Sequence, residues 1–202
     1  MLIGARTGAW AKSGGWLPVS GAYVYVKKGA QIDFGFYVGS NNEVVIDAFP
    51  TTSDIWSFLF NTRDDTDNDV WQICSRYNSR YYGQHADLEM FGEYNKHKRC
   101  VFSQRGNVWY EKDVSTGVET TLKKWNALTE EVLSSCTLKT AISKNISYSF
   151  IGRLYHVSNF RNGELLNDLY PREIDGRAGM FDLVTGDFKT NTKNTGSIIY
   201  VE

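Results

Sequence analysis

The stretch Ile151–Asn191 limits the fold most, because strand-forming runs alternate there with turn residues at fixed offsets. Arg153–Phe160 is rich in β-branched and aromatic residues, and Arg161-Asn162-Gly163 reads as a turn. Glu164–Tyr170 returns as a second strand, which Pro171 is expected to stop. Ala178–Leu183 and Asp187–Thr190 then pair across Val184-Thr185-Gly186. Asp182 sits just before that turn, where a carboxylate accepts main-chain N–H bonds. The stretch is a small antiparallel meander, and it is architecture rather than chemistry.

The upstream chain continues the same pattern. Strands are expected over Ala22–Val26, Ala30–Val38, Glu43–Phe49 (ended by Pro50), Ile55–Phe60, Val70–Tyr77, Arg80–Gly83 and Asp87–Phe91. Arg99–Gln104 and Asn107–Asp113 flank Arg105-Gly106, and a two-residue turn there would set Phe102 opposite Trp109 and Val101 opposite Tyr110. Val118–Leu122, Ile146–Phe150 and Gly196–Val201 add further strands. Lys123–Lys139 alone has helical character, with Thr129 as the cap of a short helix Glu130–Ser135. About a dozen short strands punctuated by turns mark an all-β, two-sheet antiparallel β-sandwich, and the 14% aromatic content suits it. At 202 residues the chain is one domain, residues 22–202, with an arm at residues 1–21.

That arm holds Gly4, Gly8, Gly14, Gly15 and Gly21 with Trp10 and Trp16 among small residues, and it cannot build a core of its own. Two readings stay open: a disordered leader, or an arm whose Trp10 and Trp16 dock on a partner and which is ordered only against another chain.

Several function classes are excluded by composition. A net charge of −1 points to neither nucleic acid nor an anionic membrane. No run is long enough to span a bilayer, and Met1–Arg6 lacks the basic start and apolar run of a signal peptide. Cys74, Cys100 and Cys136 are odd in number and have no metal-site spacing, so buried reduced thiols are expected. Asp65, Asp67 and Asp69 alternate as in a calcium loop, but Val70 stands where the sharp turn needs glycine and Arg76 where a closing glutamate belongs. The segment is read as a solvated acidic loop, with weak calcium binding as the alternative. No cofactor is expected.

Catalysis would need a carboxylate pair or a nucleophile motif. A retaining glycosidase needs two carboxylates on one strand face. The nearest run, Glu173-Ile174-Asp175-Gly176-Arg177-Ala178, has alanine where the second glutamate belongs. His85, His97 and His156 accompany no nucleophile motif, and phosphate and dinucleotide loops are absent. The chain is therefore expected to bind rather than catalyse. Stacked aromatics would hold a sugar, and Tyr81, Tyr82 and Trp109 are the candidates, with Trp71 behind them. Core packing is the alternative for each, and Arg80 and Gly83 give Tyr81 and Tyr82 a loop-like setting.

Three groups of residues carry a resemblance. Gln31-Ile32-Asp33 with Gly35-Phe36, Asn42–Asp47 and Trp56–Phe60 form an early run of strands. Gly152-Arg153-Leu154-Tyr155 forms a late one, and Pro171-Arg172, Asp175-Gly176, Gly179–Val184 and Phe188 with Thr190-Asn191 a C-terminal signature. Over residues 22–202 the chain resembles the laminin-G-like, concanavalin A-like jelly-roll domains of phage virion proteins, particularly from phages of gut bacteria. The resemblance implies a non-enzymatic virion surface protein: a capsid decoration, head fibre or tail-associated lectin-like module assembled in the bacterial host cytoplasm. Its partners would be a capsid or tail protein, sister copies in a homo-oligomer such as a trimer, and host glycans bound weakly. The alternative is a carbohydrate-binding module of a bacterial surface protein.

Overall fold

The computed structural model describes residues 16–36, 42–51, 98–105, 108–122, 150–193 and 195–202 in full, and residues 37, 56–63, 69–76, 80–85, 88–93, 123–124 and 139–142 by their backbone. The described residues form strands and no helix. In chain order these are β1 (Tyr23–Val26), β2 (Ile32–Tyr37), β3 (Asn42–Pro50), β4 (Trp56–Arg63), β5 (Asp69–Arg76), β6 (Arg80–His85), β7 (Leu88–Glu93) and β8 (Cys100–Arg105). They continue as β9 (Val108–Asp113), β10 (Glu119–Lys124), β11 (Lys139–Ile142), β12 (Gly152–Arg161), β13 (Glu164–Ile174), β14 (Arg177–Asp182), β15 (Phe188–Thr190) and β16 (Ile198–Val201).

Two antiparallel sheets result. The larger runs β10-β9-β8-β3-β12-β13-β14-β15, and β1 joins it by pairing with both β12 and β16. The smaller runs β2-β11-β4-β5-β6-β7. β3 shows why the layers pack. Asn42, Val44, Ile46, Ala48 and Pro50 are buried while the residues between them are half-buried, the period-2 signature of a strand with one face on a core. That core joins Ile32, Phe34 and Phe36 of β2 to Val44, Ile46, Phe102, Trp109, Leu154, Val157, Leu169 and Met180 of the larger sheet.

The C-terminal meander forms as expected, with one correction. Asn162 and Gly163 have φ of 51° and 80°, and Arg161 pairs with Glu164 across them. Asp175 and Gly176 repeat this at 52° and 73°, between Ile174 and Arg177. Two successive left-handed residues make the tight turn whose twist matches its flanking strands. Pro171, however, does not stop β13; it pairs with Met180 inside an eleven-residue strand. β12 pairs with β13 only as far as Leu169, and beyond that point β13 pairs with β14 alone. Pro171 therefore stands on a one-sided stretch, where a missing N–H breaks no second ladder.

The β8–β9 hairpin closes one residue later than expected, with Arg105 opposite Val108, so that Phe102 faces Glu111 and Gln104 faces Trp109. A shift of two positions keeps each side chain on its expected face. Phe102 and Trp109 thus remain inward and lie diagonally. The two ends of Lys123–Lys139 belong to β10 and β11 rather than to a helix. Its middle, with Thr129, lies outside the described residues, as do most of Ile146–Phe150, the acidic loop from Asp65 to Asp67, the side chain of Asp69, and those of Cys74 and Cys136.

A polar chain crosses four strands of the larger sheet on its inner face. Asn42 Nδ2 donates to Asn159 Oδ1 at 2.7 Å, Asn159 Nδ2 to Asn167 Oδ1 at 3.1 Å, and Asn167 Nδ2 to Asp182 Oδ2 at 2.8 Å. Asp182 is fully buried and ends the chain as expected of a turn carboxylate. Its Oδ1 accepts the main-chain N–H groups of Asp168 and Val184 at 3.0 and 2.9 Å, and its Oδ2 also accepts the Thr185 hydroxyl at 3.0 Å. A buried carboxylate with four donors is tolerated because each lone-pair direction is satisfied.

Candidate functional site

The outer face of the larger sheet carries a group of aromatic and charged side chains in mutual contact. β1 reads Tyr-Val-Tyr-Val, with Val24 and Val26 in the core and Tyr23 and Tyr25 turned outward. β12 opens with Gly152 and Leu154 inward and Arg153 and Tyr155 outward. Register brings these into a grid: Arg153 stands between Tyr25 of β1 and Phe49 of β3. The Arg153 guanidinium carbon lies 5.0 Å from the Tyr23 ring centre and 5.3 Å from that of Phe49. The Tyr155 side chain beside it raises the Arg153 pKa further above the ordinary arginine value, so the charge is firmly held.

Tyr155 occupies a bulge, since Leu154 pairs with Ala48 and His156 with Asp47. The extra residue lets β12 present two rings in succession. Tyr155 leans to the β1 side, 5.4 Å from Tyr23. His156 leans to the β13 side, with Nε2 2.6 Å from Asp168 Oδ1 and its ring 4.5 Å from that of Tyr170. Above Tyr155 lies Arg99, its guanidinium carbon 3.6 Å from the ring centre. Arg99 is fixed by a two-pronged pair with Asp47, donating from Nε at 2.7 Å and from Nη2 at 2.6 Å. Such forks hold both planes in place, and each cation on a ring contributes about 0.5–1 kcal/mol at a half-exposed site. Arg99 and Tyr155 are thus held in place by contacts within the chain.

The residues anticipated from sequence are placed differently. Trp109 is 1% exposed, inside the core against β8, so it offers no stacking surface and is corrected to a core residue. Its place follows from strand parity, which puts Trp109 and Glu111 inward and Tyr110 outward. Tyr81 and Tyr82 stand inside β6, opposite Ser75 and Cys74, rather than in a loop; their side chains lie outside the described residues, as do those of Trp71, His85 and His97.

Trp16 docks on its own chain, so the expectation of an arm ordered only against another chain is corrected at this residue. It meets Phe181 edge-on at 5.7 Å, and the Arg172 guanidinium carbon lies 4.6 Å from the centre of each ring. Phe181 projects from the outer face, where Trp16 and Arg172 together cover it. Trp10 lies outside the described residues.

Glu173 and Ala178 are cross-strand neighbours over the Asp175-Gly176 turn, so that run does not line one strand face. His156 is bonded to no serine, threonine or cysteine among the described residues. Cys100 is buried, as expected, and donates to Glu111 Oε1 at 2.9 Å.

Sequence reasoning missed Tyr23, Tyr25, Phe49 and Arg99. The available signal was the alternation in Tyr23–Val26, where one residue class repeats at every second position. Arg153 and Tyr155 were noticed only as part of a motif.

No family model matches the sequence, and no curated protein does. Among solved structures, the full extracellular region of zebrafish Gpr126/Adgrg6 is similar at a TM-score of 0.50 and 8% identity, over 90% of this chain and 28% of that one. This chain thus spans well under a third of that protein's length. A heptameric SAP-like pentraxin from Limulus polyphemus aligns at 0.48 and 8% identity, over 72% of this chain and 77% of its own. Xenopus laevis galectin-Ib aligns at 0.35 and 14%, over 65% and 99%. The fold is an antiparallel jelly-roll sandwich of the concanavalin A-like class.

Proposed function

We propose that this protein is a non-catalytic, glycan-binding jelly roll carried on a phage virion, as a capsid decoration, head fibre or tail-associated module. The observation that carries the binding is the Tyr25–Arg153–Phe49 row with Tyr23 and Tyr155 beside it. Sugars present apolar C–H faces and hydroxyl edges, which suit a fixed field of aromatic faces and guanidinium donors. One stacked ring contributes about 1 kcal/mol. A single site would therefore bind in the millimolar to high-micromolar range, and attachment would come from many copies acting together. The virion setting is supported by the order of the sequence motifs, one of which, Gly152–Tyr155, builds this face. A capsid or tail protein and sister copies would be the partners.

The test is a glycan array probed with the protein displayed multivalently, beside a Tyr25→Ala, Tyr155→Ala double variant. The wild type should retain a subset of glycans and the variant should lose them. A blank array for the wild type refutes the binding role. Mass spectrometry of purified particles should find the chain at a regular copy number. Recovery in a bacterial surface fraction instead would favour the carbohydrate-binding module of a bacterium.

A further inference from the structure

Two arginines stand side by side on the outer face, and their charges are treated differently. Arg99 is neutralised by its fork on Asp47. Farther along, Arg105 is held by Glu43 and Glu119 at 3.0 Å each. Arg153 meets no carboxylate among the described residues. Its neighbours are the rings of Tyr23 and Phe49 and the Tyr155 side chain. A guanidinium has five donors, so most of its edge is left for a ligand. Ring faces attract the cation but do not cancel its charge. A guanidinium with no carboxylate partner among the described residues, at the centre of an aromatic grid, fits a flat anion joined to a ring.

We infer that this face selects acidic sugars: the carboxylate of a uronic- or sialic-acid-type pyranose pairs with Arg153 while the sugar ring lies against the flanking aromatic side chains. The inference rests on the glycan-binding reading above and names its ligand class. A two-pronged pair between guanidinium and carboxylate supplies orientation as well as energy, which a neutral sugar cannot match. The pair is half-exposed, so its gain is modest, about five- to tenfold in affinity.

The experiment titrates the whole chain by NMR with matched ligands. Methyl β-glucuronide is compared with methyl β-glucoside, and methyl galacturonide with methyl galactoside. N-Acetylneuraminic acid and glucose 6-sulfate are added as single ligands. At least one acid should bind about five- to tenfold tighter than its neutral twin, and the gap should narrow as salt is raised to several times the physiological level. Arg153→Gln should bring the acid-to-neutral ratio close to one. Arg153→Lys, which keeps the charge without the fork, should leave an intermediate ratio, and it serves as the variant of record should the glutamine form not fold. Equal binding within every pair overturns the acidic preference while the glycan reading stands. No binding by any sugar overturns both. A full preference retained in Arg153→Gln moves the charge recognition elsewhere and overturns the assignment. Glucose 6-sulfate binding tighter than every carboxylate overturns the choice of carboxylate.

Discussion

Replacing Asp182 by asparagine changes one oxygen into an amide and leaves the shape almost intact, so its effect isolates hydrogen-bond polarity. Asp182 Oδ1 serves two main-chain N–H groups, which an amide oxygen still accepts. Oδ2 accepts the Asn167 amide at 2.8 Å and the Thr185 hydroxyl at 3.0 Å. The hydroxyl can turn and accept, but Asn167 Nδ2 would face another donor. One hydrogen bond to a buried charge is lost, and two others weaken when the acceptor becomes neutral. A loss of about 3 kcal/mol follows. For a domain of this size that is a fall of roughly 6–12 °C in melting temperature. The decisive measurement is the swap Asp182→Asn with Asn167→Asp, followed by thermal and urea unfolding. The exchanged pair again sets donor against acceptor, and a carboxylate at position 167 still receives the Asn159 amide. The double variant should therefore be more stable than Asp182→Asn alone, with a coupling of about 1.5–3 kcal/mol. A single variant within about 2 °C of wild type, or a double variant as unstable as the sum of its parts, would refute the argument.

Other outcomes are expected. Gly152→Ala should cost about 2 kcal/mol or more, because a Cβ there meets the Phe49 carbonyl and comes within 2.7 Å of the Phe150 ring; urea midpoints measure it. Cys100 should resist alkylation at pH 8 until the protein unfolds, since burial first and its bond to Glu111 second push the thiol pKa far up; mass spectrometry of iodoacetamide-treated protein reports this. Asp113 is held well below the usual carboxylate range by the Ser115 hydroxyl and then Lys98. A depressed carboxylate stabilises above its unfolded pKa of about 3.9 and loses that contribution as pH falls toward its lower folded value. Asp113→Asn should thus flatten the unfolding curve below about pH 4, and an unchanged acid limb would count against this role.

How far the sequence could be read depends on what decides each feature. Alternation and turn residues act locally, so the meander, β3 with its terminal Pro50, and the closing strand were all legible. The hairpin at Arg105 was misread by two positions yet kept its faces, because parity rather than register decides burial. Pro171 was misread because its tolerance depends on where β12 parts from β13, a fact of topology and not of the local run. Trp109 is a sugar-stacking candidate by residue type with core packing as its alternative, and strand parity decides for the core. The Arg153 grid needs three strands drawn from residues 23–26, 42–50 and 152–161, and nothing local links them. Trp16 was legible as a docking residue, but the partner it found was Phe181 of its own chain.

The pairing of β1 with β12 and β16 carries a consequence in time. Val24 lies opposite Leu154 on one side and Tyr200 on the other, so one edge of β1 waits for a strand made far downstream, β16. At about 5–20 residues per second of synthesis, that wait is on the order of ten to thirty seconds. β12 is made sooner and can cover one edge, but until β16 follows the other edge of Tyr23–Val26, a run of alternating tyrosine and valine, stays open. The nascent chain should therefore be the form that needs protection from neighbours, and closing the sheet should be a late event that waits for β16.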